Sequence, residues 1–457
     1  MSATPTYSAI FAALAWMSAT AVAAPEAEPA RLVLPVAADG MTADAAARRA
    51  AQVAPEVLQA RLQIAQSATE AKVAAAAFAP RVDLRASYTR LGEVDQQLFE
   101  FGGVELELAP QILNNYQLRG SITFPVSDYF LTIGPGYKAS KKGAEVATYQ
   151  MYAQREGAAF TARQYYYSYA RALAATQVSK TAVEQLEAHV GDLEALVKAG
   201  TTTRGDLMQA QAQLANARVQ LSSAQGQVQT LGDQLRIYLD LERDASLALG
   251  EDVLGAPLAL EMNAQSLEER ALRARPEVLA MRTLIEANQL NVKMQNGRKY
   301  PSVAITGAYD YNNPNSRVFP QEEKFMGSWS AGVVVSWSPN DAFTRSADVG
   351  RAELAVTRAQ TDLVEIQRRI RNEASQAASN LRVAQEQIAA AEQGVLAARE
   401  AWRVQRDLLS AGEATEQQVL DAQAALTRAE HSLVDAQIAA RVAVAHADYV
   451  VGRATPQ

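Results

Sequence analysis

Two hydrophobic periods run through this chain, and each is written twice. From Gly200 to Tyr238 the residues Leu207, Ala210, Leu214, Ala217, Leu221, Ala224, Val228, Leu231, Leu235 and Tyr238 recur at alternating steps of three and four, the seam of a coiled coil. From Gly412 to Val450 the pattern returns in phase as Val419, Ala422, Leu426, Ala429, Leu433, Ala436, Ala440 and Ala443. Each copy opens on a small-residue turn, Lys198-Ala199-Gly200-Thr201-Thr202-Thr203 and Ser410-Ala411-Gly412-Glu413-Ala414-Thr415. The glycine suits a helix C-cap and the threonines the next N-cap, so tips of long helical hairpins are predicted at about 198–206 and 409–418. An ordinary two-stranded coiled coil satisfies the heptad taken alone. Alternation of Leu with Ala equally suits several helices packed closely into a wall.

Upstream of each hairpin the period changes to two. Val82, Leu84, Ala86 and Tyr88 alternate with Asp83, Arg85, Ser87 and Thr89, and Tyr116, Leu118, Gly120, Ile122 and Phe124 alternate with Gln117, Arg119, Ser121 and Thr123. In the second half Val303, Ile305, Gly307, Tyr309 and Tyr311 alternate with Ser302, Ala304, Thr306, Ala308 and Asp310, and Trp329, Ala331, Val333, Val335 and Trp337 with small residues. These are strand pairs at about 81–126 and 301–338. Aromatics near the ends of the apolar faces (Tyr88, Tyr116, Phe124, Tyr309, Tyr311, Trp329, Trp337) fit the girdles of membrane-spanning strands, and Asp83, Arg85, Arg119 and Asp310 then face a lumen. A soluble antiparallel sheet with one buried face fits the alternation as well.

Shorter matches join the two halves. Pro55-Glu56-Val57-Leu58 stands over Pro276-Glu277-Val278-Leu279, and Pro80 over Pro301. Pro55 to Pro276 is an offset of 221, Leu207 to Val419 one of 212, so the first half carries about nine extra residues in a loop. A helix is expected from about Met41 to Phe78, and very long helices from about Tyr137 to Val197 and Phe343 to Leu409, on the order of 90 Å each at 1.5 Å per residue. Gly134-Pro135-Gly136 reads as the turn leading into the first of these. The expected plan is a leader at 1–23, an irregular segment to about 40, a first repeat at 24–245, a connector at 246–265 packed against the middle of the helices, and a second repeat at 266–457.

Composition narrows the setting. Ala9 to Met17 is a short apolar core and Ala21-Val22-Ala23 an A-x-A site, the marks of an export signal. No later run is apolar and long enough for a transmembrane helix. Export without apolar helices favours membrane strands over a soluble sheet. Four strands cannot close around water, and open edges are not tolerated in lipid. Three copies would supply twelve strands, and a cyclic trimer is the simplest closure. Net charge is −7 with no basic stripe, which argues against nucleic acid as a partner. Cysteine is absent, which excludes thiol chemistry and a cysteine-borne lipid.

No catalytic constellation, cofactor motif or metal motif stands out. His189, His431 and His446 fall on predicted helices at spacings unsuited to a metal pair, so surface or packing roles are expected. Asp206, six residues past Gly200, fits two roles equally: an N-terminal helix cap, or one carboxylate of a ring that gates cations. Its counterpart is Gln418, with Asp421 one turn farther on.

The sequence resembles the TolC-like outer-membrane efflux proteins over nearly its whole length. The most specific pieces are the two tips, read through Arg204-Gly205-Asp206-Leu207-Met208-Gln209-Ala210 and Glu416-Gln417-Gln418-Val419-Leu420-Asp421-Ala422, and the strand openings Pro80-Arg81-Val82-Asp83-Leu84 and Tyr300-Pro301-Ser302-Val303-Ala304. The resemblance implies a mainly α fold with a small β portion. It implies a homotrimer whose 12-stranded outer-membrane barrel continues into a periplasmic α-helical tunnel. The function implied is an exit duct of an efflux pump or a type I secretion system, passive and without enzymatic activity. Its implied partners are a periplasmic adaptor at the tips (Gly200, Thr201, Thr202, Thr203, Gly412, Glu413, Ala414, Thr415), an inner-membrane RND, ABC or MFS transporter, and outer-membrane lipid. Asp206 and Asp421 match acidic residues of the family's periplasmic constriction. Gln418, Leu409 and Ala414 depart from an acidic residue, a tyrosine and an arginine there. A periplasmic coiled-coil adaptor is the rival reading, but it would carry one hairpin rather than two with two strand pairs.

Overall fold

A computed structural model describes residues 32–94, 99–102, 104–106, 111–255 and 263–456. The leader at 1–23 and part of the connector lie outside them. The described chain runs β1 (Val36–Met41), α1 (Ala43–Val53), α2 (Pro55–Ala76), β2 (Arg81–Arg90), β3 (Phe99–Phe101), β4 (Val104–Leu106), β5 (Asn114–Phe124), α3 (Val126–Asp128), a π-helical turn (Tyr129–Ile133), α4 (Gly134–Ala199) and α5 (Arg204–Tyr238). The second half follows as α6 (Ala264–Ala274), α7 (Pro276–Gly297), β6 (Ser302–Asn313), β7 (Met326–Ser336), α8 (Asp341–Ser410) and α9 (Glu416–Val450).

The two halves share one plan of two short helices, a strand pair, a very long helix and a returning helix. The single helix expected from Met41 to Phe78 is in fact two. Ala54 adopts ψ 138° between α1 and α2, because the residue before proline is pushed out of the helical region and Pro55 can begin a helix but not continue one. Arg275 and Pro276 make the same break between α6 and α7, with ψ 127° at Arg275. Three smaller differences follow, the first two from backbone pairing that hydropathy does not register. Residues 36–41, expected to be irregular, form β1, whose Met41 N–H donates to Ala248 O at 2.8 Å. The long loop after β2 holds the β3–β4 ribbon. Gly134-Pro135-Gly136 is the first turn of α4, and the change of direction falls one step earlier, at α3 and the π turn.

β2, β5, β6 and β7 form one antiparallel sheet in that order. With 66 and 70 residues, α4 and α8 are each roughly 100 Å long at 1.5 Å per residue. Near the sheet, α4 lies against α7, where Lys142 Nζ meets Glu286 at 2.9 Å. Its far half packs on α5 through Val183, Leu186, Val190, Leu193, Ala210 and Leu214. Among the described residues no helix is long and apolar enough to cross a membrane.

The thickest packing lies midway, around the α1/α2 and α6/α7 breaks. Leu249, Val253 and Leu254 of the connector join Ala46, Ala50, Tyr166, Leu235 and Leu239 in one cluster. Leu267, Ala271, Ile370, Ala374, Ala377, Ala443 and Ala447 form its counterpart in the second half. Alanine dominates because each methyl buried between helices lets their backbones approach. At the second break the buried Arg275 ties three helices together. Its guanidinium meets Glu277 at 2.7 Å, contacts Glu373 of α8, and lies 4.9 Å from the ring centroid of Tyr449 on α9. A buried charge is tolerated only with such partners.

Candidate functional site

The strand register decides which side chains share a face. Val82 pairs with Ile122, Leu84 with Gly120, Ala86 with Leu118 and Tyr88 with Tyr116. Leu118 pairs with Tyr311, Gly120 with Tyr309 and Phe124 with Ile305, while Tyr309 pairs with Trp329 and Ile305 with Val333. All four alternating apolar sets therefore lie on one side of the sheet. That side is uncovered: Leu84 is 85% exposed, Trp329 73% and Val333 66%. Tyr88, Tyr116, Tyr309, Tyr311 and Trp329 lie toward the loop end of the sheet, Phe124 and Trp337 toward the helix end. The Tyr88 and Tyr116 rings meet at 4.9 Å, tilted by 35°, and Phe325 from the β6–β7 loop packs on Tyr116 and Tyr311.

The opposite side carries Asp83, Arg85, Arg119 and Asp310. Arg85 is the direct partner of Arg119, and Arg119 of Asp310, with 3.7 Å between Arg119 Nε and Asp310 Oδ1. Beyond β2 on one edge and β7 on the other, no further strand pairs among the described residues.

At the far end of the helices the two tips are built alike. Gly200 and Gly412 both adopt φ 77°, the left-handed conformation that glycine takes without penalty. Thr201 N donates to Leu196 O at 3.0 Å and Gly200 N to Val197 O at 3.1 Å; Glu413 N donates to Leu408 O at 2.9 Å and Gly412 N to Leu409 O at 3.0 Å. Both are Schellman endings. Thr203 and Thr415 then cap α5 and α9, and the third helical residue completes a reciprocal capping box in each. In the first, Asp206 Oδ2 accepts from the Thr203 hydroxyl at 2.6 Å and from the Thr203 and Thr202 groups at 3.2 Å. In the second, Gln418 Oε1 accepts from Thr415 N at 2.7 Å and from its hydroxyl at 3.1 Å. The exchange of Asp206 for Gln418 thus keeps an acceptor and loses a charge. The Thr203 hydroxyl, with desolvation opposing it, holds the Asp206 carboxyl below the usual carboxylate range. Asp421 is exposed and accepts from Gln417 Nε2 at 2.7 Å. Among the described residues no hydrogen bond or ion pair joins Asp206 to Gln418 or Asp421.

One pair near the tips escaped the sequence. Glu416, the first residue of α9, is buried and contacts His189 Nε2 on α4, and Gln423 contacts Gln185 one step farther along. These contacts hold the second tip against the first hairpin. A glutamate after a capping threonine looks like an ordinary dipole partner, so nothing local marked it. His431 and His446 are half-buried, and burial lowers both below the usual histidine range.

The outer membrane efflux protein family model matches residues 46–239 and 267–453. The chain belongs to that family. As an outer membrane efflux protein it is a channel component rather than an enzyme, and the two matched segments coincide with the two structural halves. No curated protein sequence matches it. Among solved structures it is similar to CusC, with a TM-score of 0.76 at 15% identity over 90% of this chain and 91% of that one. VceC of Vibrio cholerae gives 0.73 at 18% identity, over 90% and 96%. MtrE of Neisseria gonorrhoeae, an outer membrane channel solved in its open state, gives 0.72 at 15% identity, over 91% of each chain. At these identities the likeness is one of fold.

Proposed function

We propose that this efflux protein is a passive exit duct closed by three copies, with twelve strands in the outer membrane and a helical tunnel below. The observation that carries the reading is the sheet: the four alternating apolar sets lie exposed on one side, the charged row Arg85–Arg119–Asp310 lies on the other, and both edges are open. Lipid satisfies the apolar side, and only pairing β7 of one copy to β2 of the next satisfies the edges. Each strand pair is followed by a helix of roughly 100 Å, the first by way of α3 and the π turn, a length suited to reaching far from the membrane into the periplasm.

In this arrangement Asp83, Arg85, Arg119 and Asp310 line the lumen, and Tyr88, Tyr116, Phe124, Tyr309, Tyr311, Trp329 and Trp337 form the girdles. The tips at 200–203 and 412–415 meet a periplasmic adaptor, which couples the duct to an inner-membrane transporter of the RND, ABC or MFS type. Asp206, Gln418 and Asp421 stand at the narrow end. Efflux is favoured over protein secretion by the family match. The test is fractionation followed by reconstitution. A heat-modifiable trimer in the outer-membrane fraction that conducts ions in a planar bilayer supports the duct; a soluble monomer without conductance overturns it.

A further inference from the structure

We propose that the middle row of the polar sheet face, Arg85–Arg119–Asp310, forms a ring that favours anionic solutes bearing carboxylate or phosphate groups. This deepens the exit-duct reading and rests on it. The three residues are consecutive partners across β2, β5 and β6, so they form one continuous row across the sheet, with Ser328 of β7 completing it.

Directly opposed side chains in a sheet have Cβ atoms about 4.5–5.5 Å apart, and like charges there repel. Two opposed guanidiniums call for negative charge, and the row supplies half of it. Asp310 approaches Arg119 at 3.7 Å, a loose ion pair, while Arg85 has no hydrogen bond or ion pair among the described residues. On the same face of β2, Asp83 sits two residues from Arg85, about 7 Å away at the rise of a strand, and Arg81 balances it one row lower. On the loop side the next row, Ser87–Gln117–Asn312, is neutral. Closing three copies brings six guanidiniums and three carboxylates into one belt around the barrel.

A ring of arginines with unsatisfied donors selects anions. Their planar forks match the two oxygens of a carboxylate or phosphate, which a lysine ring would not. The positive level stands in the barrel, at the opposite end of the duct from Asp206 and Asp421, so an anionic solute that has entered the tunnel meets attraction near its exit.

The test uses the full-length trimer in planar bilayers under a KCl gradient, comparing wild type with Arg85→Gln/Arg119→Gln, Asp310→Asn and Arg90→Gln. The double variant is expected to lower the chloride-to-potassium permeability ratio about twofold or more, and Asp310→Asn to raise it. Arg90→Gln is expected to leave the ratio unchanged, because Arg90 lies on the other face and binds Asn114 at 3.0 Å. Inositol hexakisphosphate added at the barrel side should block wild type and spare the double variant. A conducting wild type with the same ratio in every variant and the same block overturns the anionic ring alone. A wild type that inserts without conductance overturns the duct itself, and the ring with it.

Discussion

Thr203 and Asp206 exchange hydrogen bonds across the first turn of α5: the hydroxyl donates to the carboxylate at 2.6 Å and the Asp206 amide donates back to the hydroxyl oxygen at 3.2 Å. Thr415 and Gln418 repeat the exchange in the second hairpin. The carboxylate is therefore committed to the cap.

The first prediction separates the cap from the gate. Thr203→Ala is expected to cost about 1 kcal/mol of tip stability, read as faster amide exchange over residues 204–210. Asp206→Gln, which copies Gln418, is expected to spare the exchange rates. If Asp206→Gln also leaves conductance unchanged, Asp206 is a cap only; raised conductance with unchanged exchange makes it a gate residue as well.

The same cap carries a pH dependence. Because the Thr203 hydroxyl lowers the Asp206 carboxyl in the folded state, its contribution is complete above the unfolded carboxylate pKa and fades as pH falls through the lowered value. The first tip is expected to lose exchange protection in acid, below about pH 4. The second, capped by uncharged Gln418, is expected to hold. Equal acid loss at both tips would remove Asp206 as the cause.

Asp421 has a simpler environment, exposed and bonded to Gln417. If three copies of it converge at the narrow end, Asp421→Ala weakens block of single-channel current by a trivalent cation such as hexamminecobalt. Unchanged block takes Asp421 out of the constriction.

The two periods made most of the fold legible. Steps of three and four placed α5 and α9, steps of two placed the four long strands on the correct faces, and Gly200 and Gly412 marked both tips. The helix breaks at Pro55 and Pro276 do not show in the hydrophobic period, because alanine fills inward positions on either side of Ala54 and hides the change of helix. β1 was invisible because its pairing with the connector is made by backbone groups, and Gly40 lies so close to Leu249 O that an added Cβ would stand 2.4 Å from it. The His189–Glu416 contact joins residues 227 apart in sequence, a distance that no local pattern bridges.

His446 predicts how the middle of the tunnel responds to acid. Its ring lies 5.5 Å from that of Phe160 and 6.5 Å from that of Tyr449. Burial lowers its pKa, with Glu373 opposing and Arg275 assisting. A histidine kept neutral by the fold contributes stability above its unfolded pKa, near 6.5, and loses it as pH falls toward the lowered value. Thermal stability is expected to drop between about pH 7 and pH 5, and His446→Gln to flatten that slope, leaving the share due to His431. A slope unchanged by the substitution would assign the effect elsewhere.

The junction of sheet and helices turns on Gly297. An added Cβ there would stand 2.0 Å from Leu131 O and 3.1 Å from Leu131 Cβ, so the last turn of α7 rests directly on the backbone of the π turn before α4. The equivalent position in the first half is Ala76, which shows that the shared plan does not itself demand glycine; the contact with Leu131 does. Gly297→Ala must displace backbone, and is expected to destabilise by about 1–3 kcal/mol, lowering the temperature of thermal unfolding. Gly394, in the interior of α8 with open space around it, supplies the contrast: alanine there is expected to stabilise by about 0.5–1 kcal/mol through helix propensity. Opposite shifts from the same chemical change would locate the cost in the Leu131 contact. A Gly297→Ala protein as heat-resistant as the parent would mean that the π turn yields freely, and that the joint between barrel and tunnel is held by other contacts.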